Sequence, residues 1–302
     1  MSQKNRQMDS NRAPARASNG SANANGSANA NPNIDPVWKE IVEAARQMSR
    51  NEPALAGFLH RLVLCQPGLE KALATHIAGK LGHDELGASQ LTDVLHEAFA
   101  EDVGFAAAAR ADIRAVQERD PACRSCLQPI LFFKGFLALT AWRAAHYHWR
   151  AGRHGIGLYL QNRISEVFGA DIHPAAQIGK GVMMDHATGV VIGETAVVGD
   201  NVSMLHGVTL GGTGREKGDR HPKIGQGVLI SVGAKVLGNI RIGDCAKIGA
   251  GSVVLADVPP YSTAVGVPAR VIGTVHGEEP ARAMDHQLDA SAAAITDPQA
   301  KG

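Results

Sequence analysis

From Ile172 to Pro259 an aliphatic residue recurs at every sixth position, often with a glycine after it. Ile172, Ile178, Met184 and Val190 keep step; Ile192, Val198, Met204 and Leu210 keep step after a shift of two residues; Ile224, Ile230, Val236, Ile242, Ile248 and Val254 follow after eight more. One hexapeptide cannot bury its apolar side chain alone, whereas a stack of them shares a continuous core, so this period specifies a β-helix. Alternation within each short strand turns the aliphatic residue inward. The glycine in Ile178-Gly179, Ile192-Gly193, Val198-Gly199, Ile224-Gly225, Ile242-Gly243 and Ile248-Gly249 suits a backbone that turns sharply between flat faces. A β-sandwich is the competing reading, but sandwiches place turn signals about every 8–12 residues.

At 302 residues, 44% hydrophobic and 20% charged, the chain has the composition of a globular protein with room for two domains. Thirty basic against 29 acidic residues leave a net charge of +1, which gives no broad electrostatic case for nucleic acid or an anionic membrane. Met1 to Arg6 is polar and lacks the apolar stretch of a signal peptide. The most apolar run, Pro129 to Trp142, is too short to span a bilayer and is interrupted by Lys134. The expected location is the cytoplasm. Of the four cysteines Cys65, Cys123, Cys126 and Cys245, the Cys123/Cys126 pair has no companion pair, which points to reduced thiols rather than a zinc ribbon.

Residues 1–34 carry the repeat Asn19-Gly20-Ser21-Ala22-Asn23-Ala24, Asn25-Gly26-Ser27-Ala28-Asn29-Ala30. So little apolar surface cannot offset the entropy of ordering, and a disordered leader is expected. Asp35-Pro36 then reads as a helix start, with a helix over Val37–Met48 and others around 54–65, 68–81, 92–100, 103–117, 129–149 and 156–168. The expected organisation is a helical domain over 35–170, a β-helix over 171–273, and a flexible tail over 274–302 without apolar period.

A repeat fixes a scaffold, so chemistry is sought where the repeat is violated. One violation surrounds Met184-Asp185-His186-Ala187-Thr188-Gly189; the other is the polar insertion from Gly211 to Lys223, an external loop. At these positions Asp171-Ile172-His173-Pro174-Ala175-Ala176, Asp185-His186-Ala187-Thr188-Gly189, Gly193-Glu194-Thr195-Ala196, Val208-Thr209-Leu210-Gly211-Gly212-Thr213-Gly214, Asp219-Arg220-His221-Pro222-Lys223-Ile224 and Gly266-Val267-Pro268-Ala269-Arg270 resemble the bacterial serine O-acetyltransferases of cysteine biosynthesis, members of the hexapeptide-repeat acyltransferase superfamily. The resemblance continues upstream through Asp35-Pro36-Val37-Trp38, Arg119-Asp120-Pro121-Ala122 and Lys134-Gly135-Phe136, and so covers nearly all of 35–273. The fold class this implies is α+β, an all-helical N-terminal domain followed by a left-handed parallel β-helix.

Acetyl transfer from acetyl-CoA to the L-serine hydroxyl needs a base, and a neutral imidazole near pH 7 is suited to it. His186 is the candidate base, which would return the proton to the departing thiolate. The resemblance makes Asp171 the carboxylate that fixes its tautomer. It also places Asp120 and Asp185 on the serine ammonium and Arg220 and His221 on its carboxylate, chemistry these side chains suit. The competing reading of Arg220 and His221 is a solvated loop tip, and of Asp120 a turn before Pro121; His206 reads as a structural rung. Glu194 matches a polar family position near the site. The resemblance implies feedback inhibition by L-cysteine in the serine pocket. Small residues at Gly212, Thr213, Val232, Gly233 and Ala250 admit a pantetheine arm along the β-helix, and Lys235, Lys247 and Arg270 are candidates for the phosphates of CoA. No tightly bound cofactor and no metal is expected.

A related acyltransferase acting on a sugar or an amine is the alternative; its discriminator is the amino-acid clamp of Asp120, Asp185, Arg220 and His221, which a sugar acceptor would not need. A zinc lyase on the same scaffold would use His186, His206 and His221, and a non-catalytic scaffold would bind cysteine synthase. In the family that contact typically uses a C-terminal Ile, whereas this sequence ends Gln299-Ala300-Lys301-Gly302, with Ile295 nearby; the departure argues against the complex. The resemblance also implies trimers with sites between subunits, paired into hexamers through the helical domains.

Overall fold

The computed structural model describes residues 35–214 and 217–287. The leader over 1–34 and the tail beyond Gln287 lie outside the described residues. Asp35 caps α1 (Pro36–Asn51) by accepting from the Val37 N–H at 3.0 Å, and Pro36 stands where its missing N–H leaves no bond unmade. The stretch expected as one helix over 54–65 is instead a 3-10 turn, α2 (Ala56–Leu59) and a π turn over His60–Leu64. Then come α3 (Leu69–Leu81), α4 (Ala88–Glu101) and α5 (Val103–Arg119).

The apolar run over 129–149 is two helices rather than one, α6 (Leu127–Phe132) and α7 (Lys134–Arg150), parted by Phe133 with an extended backbone (φ −91°, ψ 102°). This break lets α7 begin flat against the β-structure, where a Cβ on Gly135 would stand 2.0 Å from the Met184 carbonyl oxygen. α8 (His154–Phe168) ends on Gly169 in the left-handed region (φ 72°), and the chain turns into its first strand.

The strands are β1 (Ala170–Ile172), β2 (Gln177–Ile178), β3 (Met183–Met184), β4 (Val190–Ile192), β5 (Val197–Val198), β6 (Ser203–Met204), β7 (Thr209–Gly211), β8 (Lys223–Ile224), β9 (Leu229–Ile230), β10 (Lys235–Leu237), β11 (Arg241–Ile242), β12 (Lys247–Ile248), β13 (Val253–Val254), β14 (Ser262–Gly266) and β15 (Ala269–Thr274). They wind a parallel solenoid of about five turns whose three faces are β1-β4-β7-β10-β13, β2-β5-β8-β11 and β3-β6-β9-β12-β14, closed by antiparallel β15. Every hexad residue from Ile172 to Val254 is buried except Ile178, which is half-buried. The hexad glycines serve the stacking of coils rather than sharp turns. Gly179 has no positive φ, but a Cβ there would lie 2.3 Å from Asp200 Oδ1 of the next coil.

Register locates both breaks in the count. Val191 pairs with Thr209 and Lys235 with Val253, eighteen residues apart, whereas Met183 pairs with Ser203, twenty apart, and Val197 with Lys223, twenty-six apart. The two extra residues fall in the turn Asp185–Gly189 and the eight in the loop after β7, so the core registers stay intact while two corners lengthen.

Over the described residues, helices and solenoid share one apolar core and form one compact unit. A buried ion pair fastens them: Arg143 donates to Asp112 Oδ2 through Nε (3.0 Å) and Nη2 (2.7 Å) and to the Gly179 carbonyl (2.7 Å), while Asp112 Oδ1 accepts from the Val182 N–H (2.9 Å). Removing one partner of such a pair costs about 3–5 kcal/mol, because the other stays buried and unpaired.

Of the stretch 274–302 read as a flexible tail, residues 274–287 are described, and they return across the face β3-β6-β9-β12. Pro280–Ala283 form α9 with Ala281 fully buried. Ser203 Oγ donates to the Ala281 carbonyl (2.8 Å), His286 Nδ1 meets Ser231 Oγ (3.0 Å) and Lys247 Nζ donates to the Gln287 carbonyl (2.6 Å). Pro280, Ala281 and Met284 are the segment's apolar contacts and the rest of the docking is polar, which leaves no apolar period in the sequence.

Candidate active site

A cleft of about 370 Å³ opens where the end of α5, the α6–α7 junction and the lengthened turn meet; Asp120, Lys134, Gly135, Asp185 and His186 line it. The turn owes its shape to the two extra residues. His186 and Ala187 both have φ 57° and Gly189 φ 73°, with short bonds from Ala187 N to the Asp185 carbonyl (2.7 Å) and from Thr188 N to the His186 carbonyl (2.8 Å). Holding non-glycine residues in the left-handed region costs about 1–3 kcal/mol each. Two contacts help hold it there: Ala187 is buried, and Lys134 Nζ at the start of α7 bonds Thr188 Oγ1. The conformation projects the His186 imidazole outward, 70% exposed, with Nε2 3.6 Å from Asp185 Oδ1 and the His206 ring edge-on at 5.8 Å.

A second cluster occupies the opposite edge of the face that contains β4. Arg220 Nη2 donates to Glu194 Oε2 at 2.8 Å, and the guanidinium holds the Glu194 carboxyl below the usual carboxylate range. His221 lies buried in the space that a side chain at Gly193 would fill. Its Nδ1 accepts from the Thr195 N–H (3.2 Å) and pairs with Thr195 Oγ1 (2.9 Å), while that oxygen accepts from the Arg220 and His221 N–H groups (both 3.1 Å). Nδ1 is therefore the acceptor, and the ring carries its proton on Nε2. Burial, then the Arg220 charge, pushes the His221 imidazole below its ordinary value. Thr195 organises this corner, a role that nothing in the motif Gly193-Glu194-Thr195-Ala196 announces.

Asp171 lies on β1 opposite Val191, with Oδ1 accepting from Gln161 Nε2 of α8 at 2.7 Å. Among the described residues no hydrogen bond joins it to His186. The structure thus gathers Asp120, Asp185 and His186 at one edge of a flat face and Glu194, Arg220 and His221 at the other. A three-residue strand at about 3.3 Å per residue separates the edges by on the order of 10 Å. His186, His206 and His221 do not converge, and among the described residues no cluster of His, Cys, Asp and Glu is arranged for a metal ion.

The residues considered for CoA divide in the same way. Val232, Gly233 and Ala250 occupy corner turns stacked in line with the His186 turn: the Gly207 N–H donates to the Thr188 carbonyl (2.8 Å), Gly233 to His206 (3.0 Å) and Gly251 to Val232 (2.8 Å). Lys235 turns back on this column to bond the Gly207 carbonyl. Gly212 and Thr213 begin the loop at the Arg220 edge, Arg270 is exposed on β15, and Lys247 lies under the returning segment, 3.5 Å from Asp285. The four cysteines are free, and burial pushes the Cys126 thiol up to about 11, which leaves it unreactive.

Residues 37–141 match the family model described as serine acetyltransferase, N-terminal, and residues 221–256 the bacterial transferase hexapeptide model. The chain is 50% identical to the serine acetyltransferase of Salmonella typhimurium over 85% of its own length and 94% of that protein. It superposes on the crystal structure of a Brucella abortus serine acetyltransferase in complex with coenzyme A with TM-score 0.79 at 51% identity, covering 80% of this chain and 97% of that one. A serine acetyltransferase in complex with cysteine gives TM-score 0.82 at 48% identity, covering 83% and 98%. With half its residues in common with these proteins over nearly their whole length, and with the same helical and solenoid parts, the chain belongs to the serine acetyltransferase family.

Proposed function

We propose that this protein transfers the acetyl group of acetyl-CoA to the hydroxyl of L-serine, giving O-acetylserine and CoA, with His186 as general base. The carrying observation is the convergence of Asp120, Asp185 and His186 on one cleft in a chain of this family. Two carboxylates suit the ammonium of an amino acid. The exposed imidazole beside them takes the hydroxyl proton as oxygen attacks the thioester carbonyl. Collapse of the tetrahedral intermediate breaks the carbon–sulfur bond, and the imidazolium returns its proton to the thiolate of CoA.

The carboxylate of serine needs a cation, and Arg220 with His221 at the opposite edge provides a fork and a ring N–H donor. In our reading the two edges meet between copies of the chain, one contributing Asp120, Asp185 and His186, its neighbour Arg220, His221 and Asp171. Asp171 then orients the imidazole across the interface. Val191 lies exposed on the outer face between the edges. A trimer closes such head-to-tail contacts. Pairing of trimers through the helical part over 35–170, a soluble cytoplasmic setting, and CoA lying along the column Val232, Gly233, Ala250 complete the proposal. Among the described residues no helix is long and apolar enough to cross a membrane. L-Cysteine, which differs from serine by a thiol, competes for the same clamp.

A sugar offers neither an ammonium to the paired carboxylates nor a carboxylate to the Arg220 fork, and a simple amine leaves that fork unused, so this reading is not favoured. The test is release of CoA thiol with serine against other acceptors, with and without cysteine. No serine-dependent release overturns the assignment; insensitivity to cysteine overturns only the inhibition. Co-elution with cysteine synthase tests that partnership separately.

A further inference from the structure

Arg119 is a buried cation without a contact ion pair. The residue is 4% exposed, and among the described residues no carboxylate stands at ion-pair distance from it; Glu279 and the buried Asp112 act on it only from further away. Nη1 donates to Ser203 Oγ at 3.1 Å and reaches the Asn201 carbonyl at 3.5 Å, while Nε has no partner at all. A desolvated guanidinium so poorly paired costs stability compared with an apolar side chain of the same volume, so its presence calls for another reason.

Its position supplies one. Arg119 is the last residue of α5, and Asp120, the next residue, leaves the helix with φ −97° and ψ 109° to line the cleft. Where α5 ends decides where the Asp120 carboxylate stands. Arg119 pins that end to Ser203 on β6, and Ser203 is the register partner of Met183 on β3, two residues before Asp185. Both carboxylates of the cleft are thus referenced to the same pair of strands. Ser203 Oγ passes the bond on to the Ala281 carbonyl, so α9 seats the anchor from the other side. α9 is in turn pressed onto the coil, since a Cβ on Gly227 would fall 2.2 Å from Glu279 Oε1.

We propose that Arg119 is a positioning residue that sets the separation of Asp120 and Asp185 through Ser203, and so tunes recognition of the amino-acid ammonium. The proposal rests on the reading that Asp120 and Asp185 receive serine. Steady-state kinetics of the full chain test it. Arg119→Met should raise the KM for serine about tenfold while kcat and the KM for acetyl-CoA stay within about twofold. Arg119→Lys, which keeps a donor for Ser203 Oγ, should restore the serine KM to within about threefold. Ser203→Ala should shift it in the same direction as Arg119→Met. Parallel losses in kcat and both KM values without rescue by lysine, or an unchanged serine KM, overturn the proposal. If Arg119→Met does not fold, Ser203→Ala decides: an unchanged serine KM there overturns the proposal, and a rise confined to the serine KM supports it. Asp120→Asn separates the two readings: if it leaves the serine KM unaltered the ammonium site itself is wrong, whereas a rise there without one in the Arg119 variants rejects only the positioning role.

Discussion

The His221 imidazole occupies the side-chain space of Gly193: a Cβ added to that glycine would lie 2.0 Å from His221 Nε2 and 2.1 Å from Cδ2. Gly193→Ala must therefore expel the ring from its bonds to Thr195. The expected result is a rise of about tenfold in the KM for serine with a much smaller change in the KM for acetyl-CoA, measured by thiol release. Equal changes in both would detach His221 from the amino acid.

His186→Ala removes the base and leaves the carboxylates in place. Turnover should fall about 10²–10⁴-fold, with the serine KM little changed. An unaltered kcat would exclude His186 from proton transfer.

His186→Ala and Arg220→Ala should each be nearly inactive alone, yet refolding the two together should recover roughly a quarter of wild-type activity. In a closed ring of randomly mixed chains, about that share of interfaces joins an intact His186 edge to an intact Arg220 edge. Absence of recovery, in mixtures shown by mass spectrometry to contain mixed oligomers, would put the whole site within one chain.

His76, buried in the helical core with Nε2 bonded to the Leu131 carbonyl at 3.1 Å, is held down to about 4 by desolvation. The unfolded chain takes up this proton near 6.5 and the folded chain only near 4, so the unfolded state binds more protons in between. Stability is complete above about 6.5, declines as pH falls toward 4 by on the order of 3 kcal/mol, and then levels. Urea midpoints for wild type and His76→Gln against pH should diverge in this window and converge above it; parallel curves would contradict the assignment.

The solenoid could be read because its inward residue is one in six, and a slip of even two residues in the count is visible in the sequence. The count alone located both lengthened corners. It said nothing of distances across a face, which is why Asp171 and His186 could be named together although among the described residues no hydrogen bond joins them. Phe133 was hard to see for another reason: it is an ordinary apolar residue inside an apolar run, and only the fold shows Gly135, two residues on, lying against Met184. Thr195 and Ser203 act through single hydroxyl groups, and the segment leading to Gln287 docks through carbonyls, features with no periodic signature.

The lengthened turn at Asp185–Gly189 carries a design rule. Strands on either side of it keep their parallel partners although one corner is two residues longer, so corner length and core register are independent variables in this scaffold. Excising two residues there would yield a more regular protein with no projecting imidazole. Conversely, the turn at Ser231–Ala234, stacked in line with it two coils further on, could accept the same five-residue loop, and a functional group introduced there would leave every inward-facing residue where it is.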